Sequence, residues 1–298
     1  MTRVARVVGP DVLRQVRRIE LRARRLVTTL FSGAYRSVFR GQGIEFAEVR
    51  AYEQGDDYRA IDWNVSARLG SPFVKTFSEE RELTLLLVVD QSGSTRVGDP
   101  VPRALRAVEI AAVLALAGVR EQDRVGGLLF TERVEHVVRP AKGRRHALRL
   151  LRDLLAFEPA GTGTDLGAAV LYASKVLRHR GVVILISDFL GGEWDRQLKE
   201  LGARHDVTAV TIDDRREEAP RGDGWFEFED PETGVRSLVD LGDAGVRARW
   251  TAVARQRIES RNQRLRSAGV RHLPIDVSDD YAPLLRRAFS AGRSRRRR

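Results

Sequence analysis

Hydrophobic positions along the chain follow two different periods. Between residues 11 and 30, apolar side chains recur every three or four positions among many arginines, which predicts one amphipathic helix with Asp11 as its N-cap. From residue 83 onward, short apolar runs of strand length alternate with helical patterns. The pattern therefore predicts a helical N-terminal segment followed by a larger α/β region.

The α/β region begins with the apolar run 83–89, which has the character of a strand buried on both faces. Shorter runs predict further strands at 125–130, 134–138, 182–187, 207–212 and 270–277. Helical patterns lie between them, at 102–119, 144–157, 166–179, 193–204 and 246–268. This alternation predicts a Rossmann-like, mostly parallel sheet flanked by helices, in which 134–138 is a hairpin partner.

Residues 213–245 interrupt the alternation with glycine, proline and acidic residues. Two strand-like runs inside this stretch, at 225–228 and 236–239, predict a small hairpin insertion. We expect residues 1–80 to form an N-terminal helix and β extension that packs on the α/β domain. We expect residues 81–292 to form that domain and residues 293–298 to form a basic tail.

Oxygen-bearing side chains occur in three loops of the α/β region. The first loop, 90–94, follows the first buried strand; the second, 161–165, precedes a helix; the third, 187–188, ends the second buried strand. Ligands of open α/β sheets bind beyond the carboxyl ends of the strands, so these loops are expected to converge. The oxygen-bearing side chains at this edge include Asp90, Ser92 and Ser94 in the first loop, Thr162 and Thr164 in the second, and Asp188 in the third.

Two carboxylates and several hydroxyls, without cysteine or histidine, suit a hard divalent cation rather than zinc or copper. We expect Mg²⁺, with Mn²⁺ or Ca²⁺ as alternatives. Two protein carboxylates leave the coordination shell of such an ion incomplete, so an acidic side chain of a partner protein could complete it.

The Asp-x-Ser-x-Ser loop, the Gly-Thr-Asp loop and the strand-terminal aspartate together resemble the metal-ion-dependent adhesion site of von Willebrand factor A domains. The resemblance implies that Ser92, Ser94 and Thr164 contact the metal directly. It implies that Asp90 and Asp188 act directly or through water. Thr162 is a competing candidate for the role of Thr164. The resemblance thus implies a protein-binding function without catalysis.

A second motif lies upstream, in residues 52–68. With the residues around it, this stretch closely resembles the bacterial "domain of unknown function 58" family, over roughly 35–280. The resemblance implies a partnership with a MoxR-type AAA+ ATPase and a chaperone-like role toward an unknown client protein. The residues singled out in the motif are Tyr52, Gly55, Asp56, Asp57, Arg59, Asp62, Trp63 and Arg68.

Two interpretations of this motif stay open. Its aspartates and arginines could form a buried ion-pair and aromatic cluster around Trp63 that holds the N-terminal region on the α/β domain. Alternatively, they could form a docking surface for a peptide or an ATPase. The first interpretation is the more ordinary one, because Asp/Arg networks beside a tryptophan are common structural devices.

Charge is distributed unevenly along the chain, whose net charge is +11. Residues 1–40 contribute +8 and residues 293–298 contribute +5, so residues 41–292 carry −2. The basic ends could attract a polyanion or an anionic membrane surface, but no motif for sequence-specific nucleic-acid recognition accompanies them. The N-terminal helix could lie on such a membrane or dock on the protein's own body. The absence of cysteine, of a signal-peptide pattern and of a spanning apolar run predicts a cytoplasmic protein, with peripheral membrane contact as an alternative.

Enzymatic function is the main alternative class. The chain contains no Gly-x-Ser-x-Gly motif and no phosphate-binding Gly-x-x-x-x-Gly-Lys-Ser/Thr loop, and position 92 is serine where an Asp-x-Asp phosphatase would have aspartate. We therefore expect no catalysis and no small-molecule substrate. A metal-dependent hydrolase or phosphatase is kept as the alternative.

Overall fold

The computed structural model of the protein describes residues 10–30, 45–78, 83–98 and 101–290. The chain divides into two compact units, one made of residues 1–39 and 84–298 and a smaller one made of residues 40–83. The predicted basic tail, 293–298, lies outside the described residues.

The larger unit contains the first helix and all elements from residue 84 onward. Its helices are α1 (Pro10–Leu30), α3 (Arg103–Arg120), α4 (Arg144–Ala156), α5 (Leu166–Val176), α6 (Asp195–Arg204), α7 (Arg215–Glu218), α8 (Ala244–Ser267) and α9 (Tyr281–Ser290). Its strands are β3 (Thr84–Asp90), β4 (Arg124–Phe130), β5 (Val134–Ala141), β6 (Val182–Ser187), β7 (Asp206–Asp213), β8 (Trp225–Glu229), β9 (Arg236–Asp240) and β10 (Arg271–Asp276). The smaller unit holds β1 (Glu45–Ala51), α2 (Trp63–Leu69) and β2 (Phe73–Ser78).

Six strands form the central sheet, in the order β10-β7-β6-β3-β4-β5. All neighbouring pairs are parallel except β4 and β5, which are antiparallel. Strands β3 and β6 occupy the middle and are buried along almost their whole length, as their apolar sequences require. The predicted α/β class with a mostly parallel sheet is confirmed, including the antiparallel partner at the edge.

Helices cover both faces of this sheet. On one face, α5, α6 and α8 pack on the strands in a core cluster whose largest side chain is the fully buried Trp194. On the other face, α3 lies against β3, β4 and β7 and is buried over most of its length, because its apolar side chains occupy more than one side of the helix. The helix α9, which the sequence pattern did not indicate, contacts β10 and α1, and its side chains Tyr281 and Leu285 are buried.

Helix α1 packs on α3 and α4. Its apolar stripe, which includes Val16, Ile19 and Ala23, is buried. A carboxylate oxygen of Glu20 accepts hydrogen bonds from the Arg144 guanidinium at 2.5 and 3.1 Å. The structure thus supports docking on the protein's own body. The prediction of Asp11 as N-cap is wrong, since the helix already includes Pro10, a residue favoured in the first turn.

In the smaller unit, β1 and β2 form an antiparallel pair with a bulge between Phe46 and Glu48. Helix α2 connects them; Asp62 caps its first turn, and Gly70, with a φ of 74°, ends it in the left-handed conformation. No helix among the described residues of either unit is long and apolar enough to cross a bilayer.

Candidate metal centre

The carboxyl ends of β3 and β6 lie side by side, because these two strands are parallel neighbours in the sheet. Strand β3 ends at Asp90 and β6 ends at Ser187, so the loops that follow them start from the same edge. This edge is where ligands of open α/β sheets bind. The topology therefore brings the first and third predicted loops together.

A continuous hydrogen-bonded network joins four of the predicted ligands. Ser187 Oγ donates to Asp90 Oδ2 at 2.6 Å, and the Ser92 amide donates to Asp90 Oδ1 at 2.8 Å. The hydroxyls of Ser92 and Ser94 lie 3.1 Å apart, and Ser94 Oγ donates to Asp188 Oδ2 at 2.9 Å. We call Asp90, Ser92, Ser94 and Asp188, together with Thr164, the candidate metal centre.

Both aspartates of the centre are buried, with 1% of Asp90 and 5% of Asp188 exposed. Burial, together with the charge of Asp188, raises the pKa of Asp90 to about 7, although hydrogen bonds from Ser187 and Ser92 act in the opposite direction. Two carboxylates this close and this far from water repel one another. A bound cation would remove that repulsion, and hydroxyl and carboxylate oxygens are the ligands that hard divalent cations prefer.

Within the described ranges, no group of three or more His, Asp and Glu side chains is placed to hold a metal ion. The donors that this edge offers are two carboxylates and several hydroxyl oxygens. That donor set fits Mg²⁺, which binds through one or two carboxylates and keeps further positions for water or an incoming group.

The hydroxyl of Thr164 is hydrogen-bonded to a glutamate from the insertion. Its hydroxyl donates a 2.8 Å hydrogen bond to Oε1 of Glu232, and the competing candidate Thr162 donates to the main-chain carbonyl of the same residue at 3.0 Å. The loop that holds both threonines is tied to the first loop, because the Gly93 amide donates to the Thr162 carbonyl at 2.7 Å. Neither threonine is thereby eliminated as a ligand.

Glu232 belongs to the insertion hairpin, formed by the antiparallel strands β8 and β9. This hairpin was predicted at 225–228 and 236–239 and is confirmed. Its tip lies directly on the first loop, since a Cβ added to Gly93 would meet the Pro231 carbonyl oxygen at 2.0 Å. The position of the tip over the site was not predicted.

Two buried arginines donate hydrogen bonds to main-chain carbonyls of the candidate metal centre. Arg103 donates to the Ser94 carbonyl at 3.0 Å and also pairs with Glu217, which lies in the short helix α7 of the insertion. Arg261, on α8, donates to the Asp188 carbonyl at 2.9 Å and forms two hydrogen bonds with Asp213. Sequence reasoning missed both arginines. Their distance along the chain from residues 90–94 and 188 leaves no local signal, and arginine is common throughout this sequence.

The upstream motif has a different structure from the buried cluster that was expected. Trp63 is 67% exposed, and Asp56 pairs with Arg50 at 2.6 and 2.8 Å rather than with the arginines of the motif. This pairing lowers the pKa of Asp56. Within the smaller unit, the motif therefore does not form the expected buried ion-pair cluster around Trp63.

The other motif residues shape the backbone. Asp57 accepts a hydrogen bond from the Arg59 amide at 2.9 Å, and Asp62 caps α2. Gly55 has a φ of 116°, as its predicted turn requires. The Arg59 guanidinium lies over the exposed ring of Tyr58. The Tyr52 amide donates to the Pro72 carbonyl at 2.9 Å, and Arg68 lies in the last turn of α2. The docking interpretation stays a prediction.

Comparison with known proteins identifies relatives over most of the chain. The family model described as "Protein of unknown function DUF58" matches residues 48–260. Uncharacterized proteins Rv1480 of Mycobacterium tuberculosis and Mb1516 of Mycobacterium bovis are each 33% identical over 230 residues, which is 76% of this chain and 73% of each relative.

Two solved structures are also similar. The conserved hypothetical protein BatB from Bacteroides thetaiotaomicron matches 70% of this chain and 98% of its own, at 13% identity and a TM-score of 0.46. An aerotolerance-related membrane protein from Bacteroides fragilis matches the same shares at 16% identity and a TM-score of 0.48. The fold assignment above follows from the strand order of this protein and not from these two likenesses.

Proposed function

The chain belongs to the DUF58 family of proteins of unknown function. From the arrangement of its strand-end loops, we propose that it is a metal-dependent protein-binding module. A divalent cation, Mg²⁺ or alternatively Mn²⁺ or Ca²⁺, is held at the candidate metal centre. An acidic side chain of a partner protein completes its coordination. The module itself carries out no reaction.

One observation carries this proposal. Two buried carboxylates, Asp90 and Asp188, are linked through Ser92, by its amide and hydroxyl, and through the hydroxyl of Ser94, at the sheet edge where ligands bind. Ser187 Oγ donates a further hydrogen bond to Asp90. A site of this composition is costly to leave without a cation, because both charges are removed from water and repel one another. The hydroxyls are neutral ligands, so the bound ion would keep enough positive charge to attract a further carboxylate.

The proposed roles follow from these positions. Ser92, Ser94 and Thr164 would offer hydroxyl oxygens to the ion, while Asp90 and Asp188 would contact it directly or through water. The bound ion would supply a positive centre at the surface edge. Arg103 and Arg261 would fix the backbone carbonyls of Ser94 and Asp188, and so orient the two loops that carry the ligands.

For the partner, we propose a MoxR-type AAA+ ATPase that acts with this chain on an unknown client protein. The support for this choice is the resemblance of the sequence around residues 52–68. The exposed rings of Tyr58 and Trp63 would supply a second, metal-independent contact. The alternatives to this proposal are metal-dependent hydrolysis and the binding of a polyanion or anionic lipid through the basic ends.

The metal proposal is tested by calorimetric titration of the chain with Mg²⁺. We expect saturable binding by the wild-type protein and none by Asp90→Ala, because that change removes a carboxylate from the centre. Asp206→Asn is the matched control; it removes an exposed negative charge at the start of β7, on the opposite edge of the sheet. Unchanged Mg²⁺ affinity in Asp90→Ala would refute the assignment.

The partner proposal is tested by capturing proteins from the host's lysate on the tagged chain, in Mg²⁺ and in EDTA. We expect an AAA+ ATPase to be recovered with Mg²⁺ and lost with EDTA or in Asp90→Ala. Recovery that is insensitive to EDTA would move the contact to residues 52–68 or to the basic ends. Recovery of nucleic acid or lipid alone would favour the polyanion alternative.

A further inference from the structure

We propose that an arginine-lined cleft beside helix α8 binds an extended acidic segment of a partner protein. The cleft has a volume of about 680 Å³ and lies between the loop 219–222 and the first half of α8. Its lining shares no residue with the candidate metal centre. The inference therefore goes beyond the proposed function and does not rest on it.

Three arginines line this cleft, and none of the described residues that line it is acidic. Arg221 comes from the loop, and Arg247 and Arg255 come from α8. Within the described part of the chain, Arg221 and Arg255 have no hydrogen-bond or ion-pair partner. In contrast, three arginines in the second half of the same helix each pair with a carboxylate. The cleft thus holds positive charge that the protein itself does not neutralise, and a ligand with carboxylates would complement it.

The two walls of the cleft are held together by contacts outside its lining. The Arg247 guanidinium donates to the carbonyl of the buried Leu241, at the end of the hairpin. The Trp250 indole nitrogen donates to the Glu217 carbonyl at 2.8 Å, which ties α8 to the segment that leads into the loop. The rings of Phe228 and Trp250 lie 4.9 Å apart and join the hairpin to the same helix. The cleft is therefore preformed, and binding to a preformed site costs less conformational entropy.

The rest of the lining favours a peptide over a nucleic acid or a single inorganic anion. Apart from the arginines it consists of alanine, glycine, proline and threonine, so the main chain of a ligand can approach the walls closely. None of the described lining residues is aromatic, whereas proteins that bind single-stranded nucleic acids stack the bases on aromatic side chains. The volume lies within the range of pockets for drug-sized ligands, roughly 300–1,000 Å³. A short acidic peptide segment fits this combination of size, charge and lining.

The positions of the arginines on α8 predict the spacing of the acidic side chains. Arg247 and Arg255 are eight residues apart, which is roughly 12 Å along the helix axis at about 1.5 Å per residue. An extended peptide covers this distance in about four residues, at roughly 3.3 Å each, and its side chains four positions apart point to the same side. We therefore expect the ligand to carry acidic residues four positions apart in an extended segment.

The experiment is a fluorescence-anisotropy titration of the full chain into a labelled peptide of glycine and threonine that carries two glutamates four positions apart. EDTA is present throughout, so the result does not depend on the candidate metal centre. We expect the double variant Arg221→Gln/Arg255→Gln to weaken binding about tenfold. The matched control is Arg249→Gln/Arg257→Gln, which removes the same charge from exposed positions outside the cleft and should weaken binding by less than about twofold. This control is needed because a chain with a net charge of +11 attracts any anion.

Two further probes complete the test. A peptide of the same composition with adjacent glutamates should bind about threefold more weakly, and an oligothymidylate of equal charge should bind more weakly than the first peptide. Equal weakening by the two double variants, equal affinity for the two peptides, or no binding by the wild type would overturn the proposal. Tighter binding of the oligothymidylate that is lost in Arg221→Gln/Arg255→Gln would assign the cleft to nucleic acid instead. None of these results bears on the Mg²⁺ titration that tests the proposed function.

Discussion

At the scale of single residues, the loops of the candidate metal centre are held by buried charged side chains that lie far from them in the sequence. Arg261 is 2% exposed and pairs with both carboxylate oxygens of Asp213, at 2.6 and 3.0 Å, while it also holds the Asp188 carbonyl. Removing one partner of a buried ion pair leaves the other charge buried and unpaired. The resulting loss of stability is much larger than the net contribution of the intact pair.

We therefore expect Arg261→Leu to lower the free energy of unfolding by about 3 kcal/mol. Arg257→Leu, an exposed position on the same helix, should change it by less than about 0.5 kcal/mol. Denaturant unfolding followed by circular dichroism measures both. If both changes lowered the free energy of unfolding equally, the loss of stability would come from the helix itself and not from the ion pair.

The residues of the candidate metal centre and those that contact it differ in how far sequence could predict them. Asp90, Ser92, Ser94 and Asp188 were predictable, because each directly follows a buried strand and parallel neighbours share an edge. Glu232 was not, since its contact with Thr164 depends on where a hairpin 68 residues away folds back. The same reason applies to Arg261, whose helix shows no apolar stripe strong enough to mark one buried position.

At the scale of elements, the contact between the hairpin tip and the first loop depends on glycine. A Cβ at position 93 would lie 2.0 Å from the Pro231 carbonyl oxygen and 2.7 Å from its carbon, so a methyl group there needs the tip to move. The hairpin has little buried surface of its own, with Trp225 and Leu238 about 70% exposed, whereas the first loop is tied into the sheet. We therefore expect the hairpin tip, and not the first loop, to move when a methyl group is added at position 93.

Accordingly, Gly93→Ala should speed hydrogen exchange at 230–236 without loosening the strands of the central sheet. If the tip stayed in place, the added methyl group would overlap the Pro231 carbonyl, and this overpacking would lower the free energy of unfolding by about 1–3 kcal/mol. Gly163→Ala is the matched control, because a Cβ there meets only the Glu132 side chain, at 3.6 Å or more. Unchanged exchange in Gly93→Ala would show that the first loop gives way instead.

Most elements were predictable from periodicity, and those that were not have identifiable reasons. Strand β6 is an apolar run of strand length, so its place in the middle of the sheet followed from its sequence. Helix α9 was missed, although it carries a buried face, because it is short and follows the last predicted strand. In the upstream motif, the composition suggested a buried cluster. The aspartates instead cap turns, a role that composition alone does not distinguish.

At the scale of the whole molecule, the candidate metal centre couples the stability of the fold to the cation. All of its residues belong to the larger unit, and they connect the middle of the sheet to the insertion. A ligand that binds only the folded chain stabilises it by mass action, by about 2.7 kcal/mol at a concentration one hundred times its dissociation constant.

We expect the thermal midpoint of the chain to rise by several degrees in saturating Mg²⁺ and to return to its starting value in excess EDTA. Asp90→Ala should show no such rise. Differential scanning calorimetry at matched ionic strength measures this, with NaCl replacing MgCl₂ as the control for screening. A rise of equal size in Asp90→Ala would mean that Mg²⁺ acts elsewhere on the molecule.

The order of these parts along the chain has a consequence for synthesis. Asp90, Thr164 and Asp188 all precede Glu232, which follows the last of them by 44 residues. At translation speeds of roughly 5–20 residues per second, the strand-end loops leave the ribosome several seconds before the hairpin that covers them. A molecule that binds these loops during translation therefore meets them before the tip of the insertion hairpin has folded against Gly93 and Thr164.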